Sequence, residues 1–314
     1  MSGAHDRVAA PGAVIVVHGS APSLSSLVDQ LVGEGIAREA IVVVRNPSGN
    51  AQLPAGWPPT GTTLVELPEN RGYGAGMNAG IQHQMAAGRG LLLLLTPTVS
   101  LTPGSIGRLL AASGQAPQFG ILGPVVGWKG RDRVFSYGGV SKPSGDIGHH
   151  RGEAPPADDA GIAACDWIDG AVMLIRTAAI QEIGLFDEDF FLYFEDTELA
   201  LRARRSGWQV GVVLDARADE APGSDRRPGA YQYLHARNGM EYARRAAGLP
   251  GVRAGARRHL RELRAALRRL ATPGLPDRGG QWMRLRCEWR GVWDFATRRF
   301  GAPPASLAGR GDLD

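Results

Sequence analysis

The sequence predicts an α/β fold, a doubly wound and mostly parallel sheet followed by C-terminal helices. Three observations carry this. Short apolar runs alternate with segments of helical periodicity up to about residue 95. The runs are apolar at nearly every position, as strands covered on both faces require. From Tyr231 onward strand signals stop and helical periodicity dominates.

Ala13 to His18 reads as a buried strand ending in Gly19-Ser20, and Ser23 to Val32 as a helix with Leu24, Leu27, Val28 and Leu31 on one face. Ala40 to Arg45 is a second strand, closed by the turn residues Asn46-Pro47-Ser48-Gly49-Asn50. Thr63 to Leu67 is a third, entering a glycine-rich turn, a helix over Gly74 to Ala87 and a fourth strand over Leu91 to Leu95. Such alternation puts ligands at the carboxyl ends of the strands. Short strands follow at Phe119 to Gly123 and Val134 to Tyr137. The Gly/Pro/Asp-rich stretch from Pro143 to Gly161 reads as a loop near a site. Trp167 to Arg176 reads as a strand, Thr177 to Ile183 as a helix and Val210 to Leu214 as a late strand. The helical remainder breaks at Thr272 to Gly280.

A chain of 314 residues, 43% hydrophobic and 21% charged, has ample core for a soluble globular protein. Two cysteines, Cys165 and Cys287, exclude a disulfide framework or zinc ribbon and suit a reducing cytoplasm. No signal-peptide core is visible, and no apolar run approaches the roughly 20 residues that span a bilayer. Net charge is +4, yet Arg253 to Arg299 holds 13 arginines against Glu262, Asp277, Glu288 and Asp294. This Arg-rich extension, residues 246–314, reads as a solvated helical face or as a contact for the surface of the inner membrane. No nucleic-acid motif accompanies it.

The chemistry concentrates in Phe190-Phe191-Leu192-Tyr193-Phe194-Glu195-Asp196 and the amphipathic helix that follows, where Arg202, Arg204 and Arg205 supply cations. Asp196 near a helix N-terminus, beside an aromatic platform, suits a general base for a sugar hydroxyl; the plainer reading is a helix cap. Upstream, Glu69-Asn70-Arg71-Gly72-Tyr73-Gly74-Ala75-Gly76-Met77-Asn78-Ala79-Gly80 follows a strand and opens a helix. Its glycines allow backbone to approach a ligand, and its amides can face phosphate. The glycine spacing departs from the dinucleotide fingerprint and the loop follows the third strand rather than the first, which argues against a nicotinamide enzyme.

These two blocks, with Asp166-Trp167-Ile168-Asp169-Gly170 and Gly184-Leu185-Phe186-Asp187-Glu188, resemble inverting family-2 glycosyltransferases of the GT-A fold, rhamnosyltransferase-like members above all. The resemblance covers residues 12–245. It implies a transferase domain over 1–245, with nucleotide binding in about 12–120 and acceptor and catalytic parts in 121–245. It implies a UDP- or dTDP-sugar donor, a hydroxyl acceptor (glycan, lipid-linked or small metabolite) and a role in polysaccharide or secondary-metabolite synthesis. Asp196 becomes the base with Glu195 in support. Trp167, Asp169 and Gly170 line the sugar and acceptor side. Val17, His18, Gly19, Arg45, Arg71, Gly74, Asn78, Thr96 and Thr98 line the donor side. A homo-oligomer is compatible with this reading, and a non-catalytic nucleotide-sugar-binding or membrane-docking relative is the alternative.

Departures from the family pattern bear on the metal, Mg or Mn. Arg45 stands where an Asp usually meets the base, and Thr98 replaces the usual metal-binding Asp. Arg217 to Ser224 stands where a metal-binding His is often found, leaving Asp219 or Glu220 either as an oxygen ligand or as a solvated loop carboxylate. Without a metal, Arg45, Arg71, Arg226, Arg227 or Arg237 would meet the diphosphate. His149 and His150 read as loop residues, and Met77 and Met173 as core.

Overall fold

A computed structural model describes residues 10–19, 21–48, 57–131, 133–220, 228–272 and 276–307. Ser20, Gly49, Asn50, the stretch 221–224, Arg226 and Arg227 lie outside the described residues. The N-terminal half holds β1 (Gly12–His18), α1 (Leu24–Gly33), β2 (Ile41–Asn46), β3 (Thr63–Glu66), α2 (Tyr73–Ala86) and β4 (Leu91–Leu95). Next come β5 (Val99–Leu101), α3 (Ser105–Gln115), β6 (Phe119–Trp128), β7 (Val134–Ser136), β8 (Gly139–Ser141), β9 (Ile147–His149) and β10 (Ile162–Ala164). The chain continues through β11 (Val172–Arg176), α4 (Thr177–Ile183), α5 (Glu195–Arg205), β12 (Gln209–Glu220), α6 (Pro228–Leu270) and α7 (Arg278–Ala296).

The main sheet runs β10-β12-β6-β11-β4-β1-β2-β3, with β5 on β12 and β7 on β6. Strands β3, β2, β1 and β4 are parallel, while β11 inserts antiparallel between β4 and β6. Side chains alternate across the sheet. Ala13, Ile15, Val43, Leu93 and Leu95 face α1 and α3, and Val14, Val16, Val42, Val44, Leu92 and Leu94 face α2, α4 and α5. Both faces are therefore dry, which is why these strands are apolar throughout.

Elements α3, β5, β8 and β10 add to those the sequence pattern marked, and three further segments differ from expectation. The strand read as starting at Trp167 starts at Val172. Asp169 Oδ1 accepts from the Ala171 N–H at 3.0 Å, an Asx turn that breaks the extended run before it. The stretch read as a loop from Pro143 contains β9, hydrogen-bonded to β8. The late strand continues to Glu220, with an irregularity between Val213 and Arg217 that keeps it on β6.

Helix α2 lies unusually close to the sheet. A Cβ on Gly80 would stand 2.2 Å from Val14 Cγ1, and one on Gly76 2.7 Å from Val16 Cγ1. These glycines let a helix approach a strand, so the expectation of backbone approaching a ligand is corrected for both. At the other end, α6 kinks at Gly248, where φ is +61°, and its second half packs with α7 as an antiparallel hairpin joined through His259 and Glu288 at 2.8 Å.

Candidate active site

All parallel strands end on one edge of the sheet. That edge carries His18, Asn46, Thr96, Trp128 and Glu220, together with Asp169 and Gly170 at the entry to the antiparallel β11. A cavity of about 330 Å³ opens there. Its floor is polar, with Thr96, Asp169, Gly170, Glu195, Asp196 and Glu220. Its walls are aromatic, with Tyr73, Trp128, Phe135, Trp167, Tyr193 and Tyr231 among them.

Asp196 is the second residue of α5, entered through a strained turn. Phe191, Tyr193 and Phe194 all have positive φ (63°, 68° and 73°), at a cost of about 1–3 kcal/mol each. The compensation is a buried polar clamp on α6. Asn238 Nδ2 donates to the carbonyls of Phe190, Leu192 and Tyr193 at 2.9, 2.9 and 2.8 Å, and Arg237 Nη2 donates to Phe190 O at 3.1 Å. Gly72 closes the turn from the other side. Its φ is +91°, and a Cβ there would lie 2.2 Å from Phe191 O, whose carbonyl accepts from the Tyr73 N–H at 2.7 Å.

Both Asp196 oxygens are oriented. Oδ2 accepts from the Gly170 N–H at 3.0 Å, and Oδ1 from the Thr197 N–H at 2.6 Å and the Thr197 hydroxyl at 3.1 Å. Those bonds and the helix N-terminus favour the charged form. Burial opposes them and prevails: desolvation first, then the nearby Asp169 charge, pushes the carboxyl up to about 6. Glu195 is buried deeper, and desolvation and the Asp196 charge raise it well above the usual carboxylate range. Its Oε2 has no hydrogen-bond partner among the described residues. Burial and mutual repulsion therefore disfavour ionisation of both members of the pair, with Glu195 the more deeply buried of the two. Tyr73 donates its hydroxyl to Gly170 O at 2.5 Å and fixes the loop whose amide orients the Asp196 carboxylate.

Of the residues expected from the sequence, Thr96, Trp167, Asp169, Gly170, Glu195, Asp196 and Glu220 meet at this cavity. The donor-side set is dispersed. His18 stands exposed at the end of β1 beside Gly19, while Val17 is buried in the core. Arg45 pairs with Glu66 at 2.9 Å, and Arg71 with Glu188 at 2.6 Å. Gly74 packs on Phe186, and Asn78 ties α2 to Phe186 and Glu188. Arg237 is fully buried and bonded to backbone, which removes it as a diphosphate ligand. Arg202, Arg204 and Arg205 are structural fasteners, to Glu198, Asp166 and the carbonyls of α6. Sequence reasoning missed His149. It sits on β9 with its ring 4.2 Å from Phe135 and 5.0 Å from Trp167, so its reading as a loop residue is corrected. Asn46 was missed too: buried at the end of β2, it joins Asn70 and Gly72 through Nδ2, and Oδ1 has no partner among the described residues.

The divalent cation implied by the fold finds no ready cage. Thr98 lies exposed with its hydroxyl 3.3 Å from that of Thr96, and strand register places it beside Glu220, through the Val99 pairing. Among the described residues, the only His, Cys, Asp or Glu cluster with three ligand atoms within 4.8 Å is His259, Glu262 and Glu288, on the C-terminal hairpin. One carboxylate and two neutral hydroxyls do not fit a tightly held resident ion.

Known proteins resemble this chain in sequence and in fold. The chain is 28% identical over 185 residues to the low-salt glycan biosynthesis hexosyltransferase Agl10 of Haloferax volcanii, covering 55% of this chain and 57% of that protein. It is 26% identical over 208 residues to an N-acetylglucosaminyl-diphospho-decaprenol L-rhamnosyltransferase of Mycobacterium tuberculosis, covering 55% and 63%. The alignments thus take in somewhat over half the length of these relatives. The crystal structure of GalNAc-T7 with UDP, GalNAc and Mn2+ superposes with a TM-score of 0.57 over 93% of this chain and 56% of that one, at 13% identity, a likeness of fold. Residues 11–241 match the family model that describes glycosyltransferase-like family 2, and to that family, with its GT-A fold, this chain belongs.

Proposed function

We propose that the protein is an inverting glycosyltransferase that moves a sugar from a nucleoside-diphosphate donor, UDP- or dTDP-linked, to a hydroxyl acceptor. The observation that carries this is the oriented Asp196 carboxylate on the floor of an aromatic-walled cavity, raised to about 6. Such a group is ionised at neutral pH and still basic enough to accept a proton. The acceptor O–H gives its proton to Asp196, and the oxygen attacks the anomeric carbon. The bond from that carbon to the diphosphate breaks opposite, and its electron pair leaves with the nucleoside diphosphate. Burial raises Glu195 above the usual carboxylate range, which favours Asp196 as the member of the pair that accepts the proton. Trp167 and the neighbouring rings exclude water, and Asp169 with Gly170 frames the sugar. The nucleotide belongs beside His18 and Asn46, at the strand ends.

The transferase domain is taken as residues 1–245 and the Arg-rich hairpin as an extension. A non-catalytic sugar-nucleotide binder is favoured only by the neutral Thr98. A donor panel assayed with and without EDTA separates these: nucleoside diphosphate release coupled to acceptor glycosylation, abolished in Asp196→Asn, is expected. Binding without release from any donor would overturn catalysis, and full turnover by Asp196→Asn would remove it as base.

A further inference from the structure

The C-terminal hairpin carries a face that the transferase chemistry does not use. On α7, Trp282, Trp289 and Trp293 recur seven and eleven residues apart, close to two and three full helical turns, so they form one stripe. They are 47%, 36% and 60% exposed. On α6, Leu260 and Leu267 form a matching stripe, 44% and 43% exposed. The two helices run antiparallel and touch through His259 and Glu288. Each stripe lies about a quarter-turn or a little more past its contact residue in the same rotational sense, which puts both on one side of the hairpin.

The same helical arithmetic places Arg253, Arg257, Arg264, Arg278 and Arg286 along this side, all exposed. Glu262, Asp277, Glu288 and Asp294 fall on the other sides. No described helix is long and apolar enough to cross a membrane, so the face lies on its partner rather than in it. Tryptophan with a polar tip and an apolar body, set among arginines, matches the headgroup layer of an anionic bilayer. A second copy of the chain would bring two arginine-rich faces together, and that repulsion argues against self-association.

We infer that this tryptophan–arginine face docks the protein on an anionic phospholipid surface. Docking there holds the catalytic domain at a membrane. It suits a lipid-linked acceptor on the transferase reading above, but docking itself does not require that reading. Each arginine at such a surface is worth about fivefold in partition, so two reversals should cost well over tenfold.

The test is co-flotation of the full chain with phosphatidylcholine vesicles, with and without phosphatidylglycerol. Binding is expected only with the anionic lipid, with a blue shift of tryptophan emission, and with loss in molar salt as screening shortens the reach of the arginines. Trp282→Ser/Trp289→Ser/Trp293→Ser and, separately, Arg264→Glu/Arg278→Glu should each reduce binding more than tenfold. All five side chains are exposed, so melting temperatures should hold. Equal flotation of the triple variant and wild type would overturn the proposal. So would a wild-type dimer in light scattering that the triple variant loses, or retention on duplex DNA with none on vesicles. Flotation reads no turnover, so failure of the transferase reading leaves its outcome distinct.

Discussion

Replacing Asp196 with Asn tests the electrostatics of the site through stability as well as rate. In the folded protein this carboxyl is raised from 3.8 to about 6, mainly by desolvation and then by Asp169. A raised folded pKa gives stability that is complete below the unfolded value and lost as pH rises through the folded one. The shift corresponds to roughly 3 kcal/mol lost between about pH 4 and pH 8. The Asn amide removes that titration. It also sets an NH₂ or a carbonyl against the Gly170 N–H, a fixed offset independent of pH. The pH dependence of the difference is therefore the informative quantity. Glu195 titrates beside it, so the comparison is best made between Glu195→Gln and Glu195→Gln/Asp196→Asn. Urea unfolding from pH 4 to pH 8 should show the double variant gaining roughly 3 kcal/mol relative to the single one across that range. Turnover should fall by about 10²–10⁴, the usual worth of a general base. A stability difference that stays flat with pH would refute the burial argument, whatever happens to the rate.

The acid limb of kcat/KM should lie near pH 6, from ionisation of Asp196, and a limb near pH 4 would contradict the raised carboxyl. Asp169→Asn should move that limb down, because it removes a like charge while its side-chain oxygen can still accept from Ala171 N; a pH–rate profile decides it. Gly72→Ala combines a +91° φ with a Cβ 2.2 Å from Phe191 O, and should cost about 3 kcal/mol or more and most activity, read by thermal melting and turnover. Asn238→Asp replaces the donor that holds three carbonyls of the strained turn with an acceptor. Melting should fall sharply, by the equivalent of about 2–5 kcal/mol, and an unchanged melt would show that the turn holds itself.

Much of the site was visible before folding. Aromatics running into Glu195-Asp196, and the Asp169-Gly170 pair, are local patterns whose chemistry follows from residue type and spacing. The donor side was harder to read. Arg237, on a helix expected downstream, resembles a phosphate ligand in sequence, yet burial spends its guanidinium on the carbonyls of the strained turn. Gly76 and Gly80 resemble a ligand-facing loop, yet they seat α2 on Val16 and Val14. His149 and Phe135 offered no signal, because only the fold of β7 to β9 stacks them with Trp167.

Fold class and the order of the principal strands and helices were thus determined by the sequence, since apolar periodicity and turn chemistry act over a few neighbouring residues, and the proposal of Asp196 as base rests on the same kind of local pattern. Tertiary structure alone decided how strongly each carboxylate of the pair is desolvated, which arginines are spent on other partners and where the cavity forms. Those outcomes depend on desolvation and on contacts between residues 21 to 117 positions apart, and no local pattern encodes either.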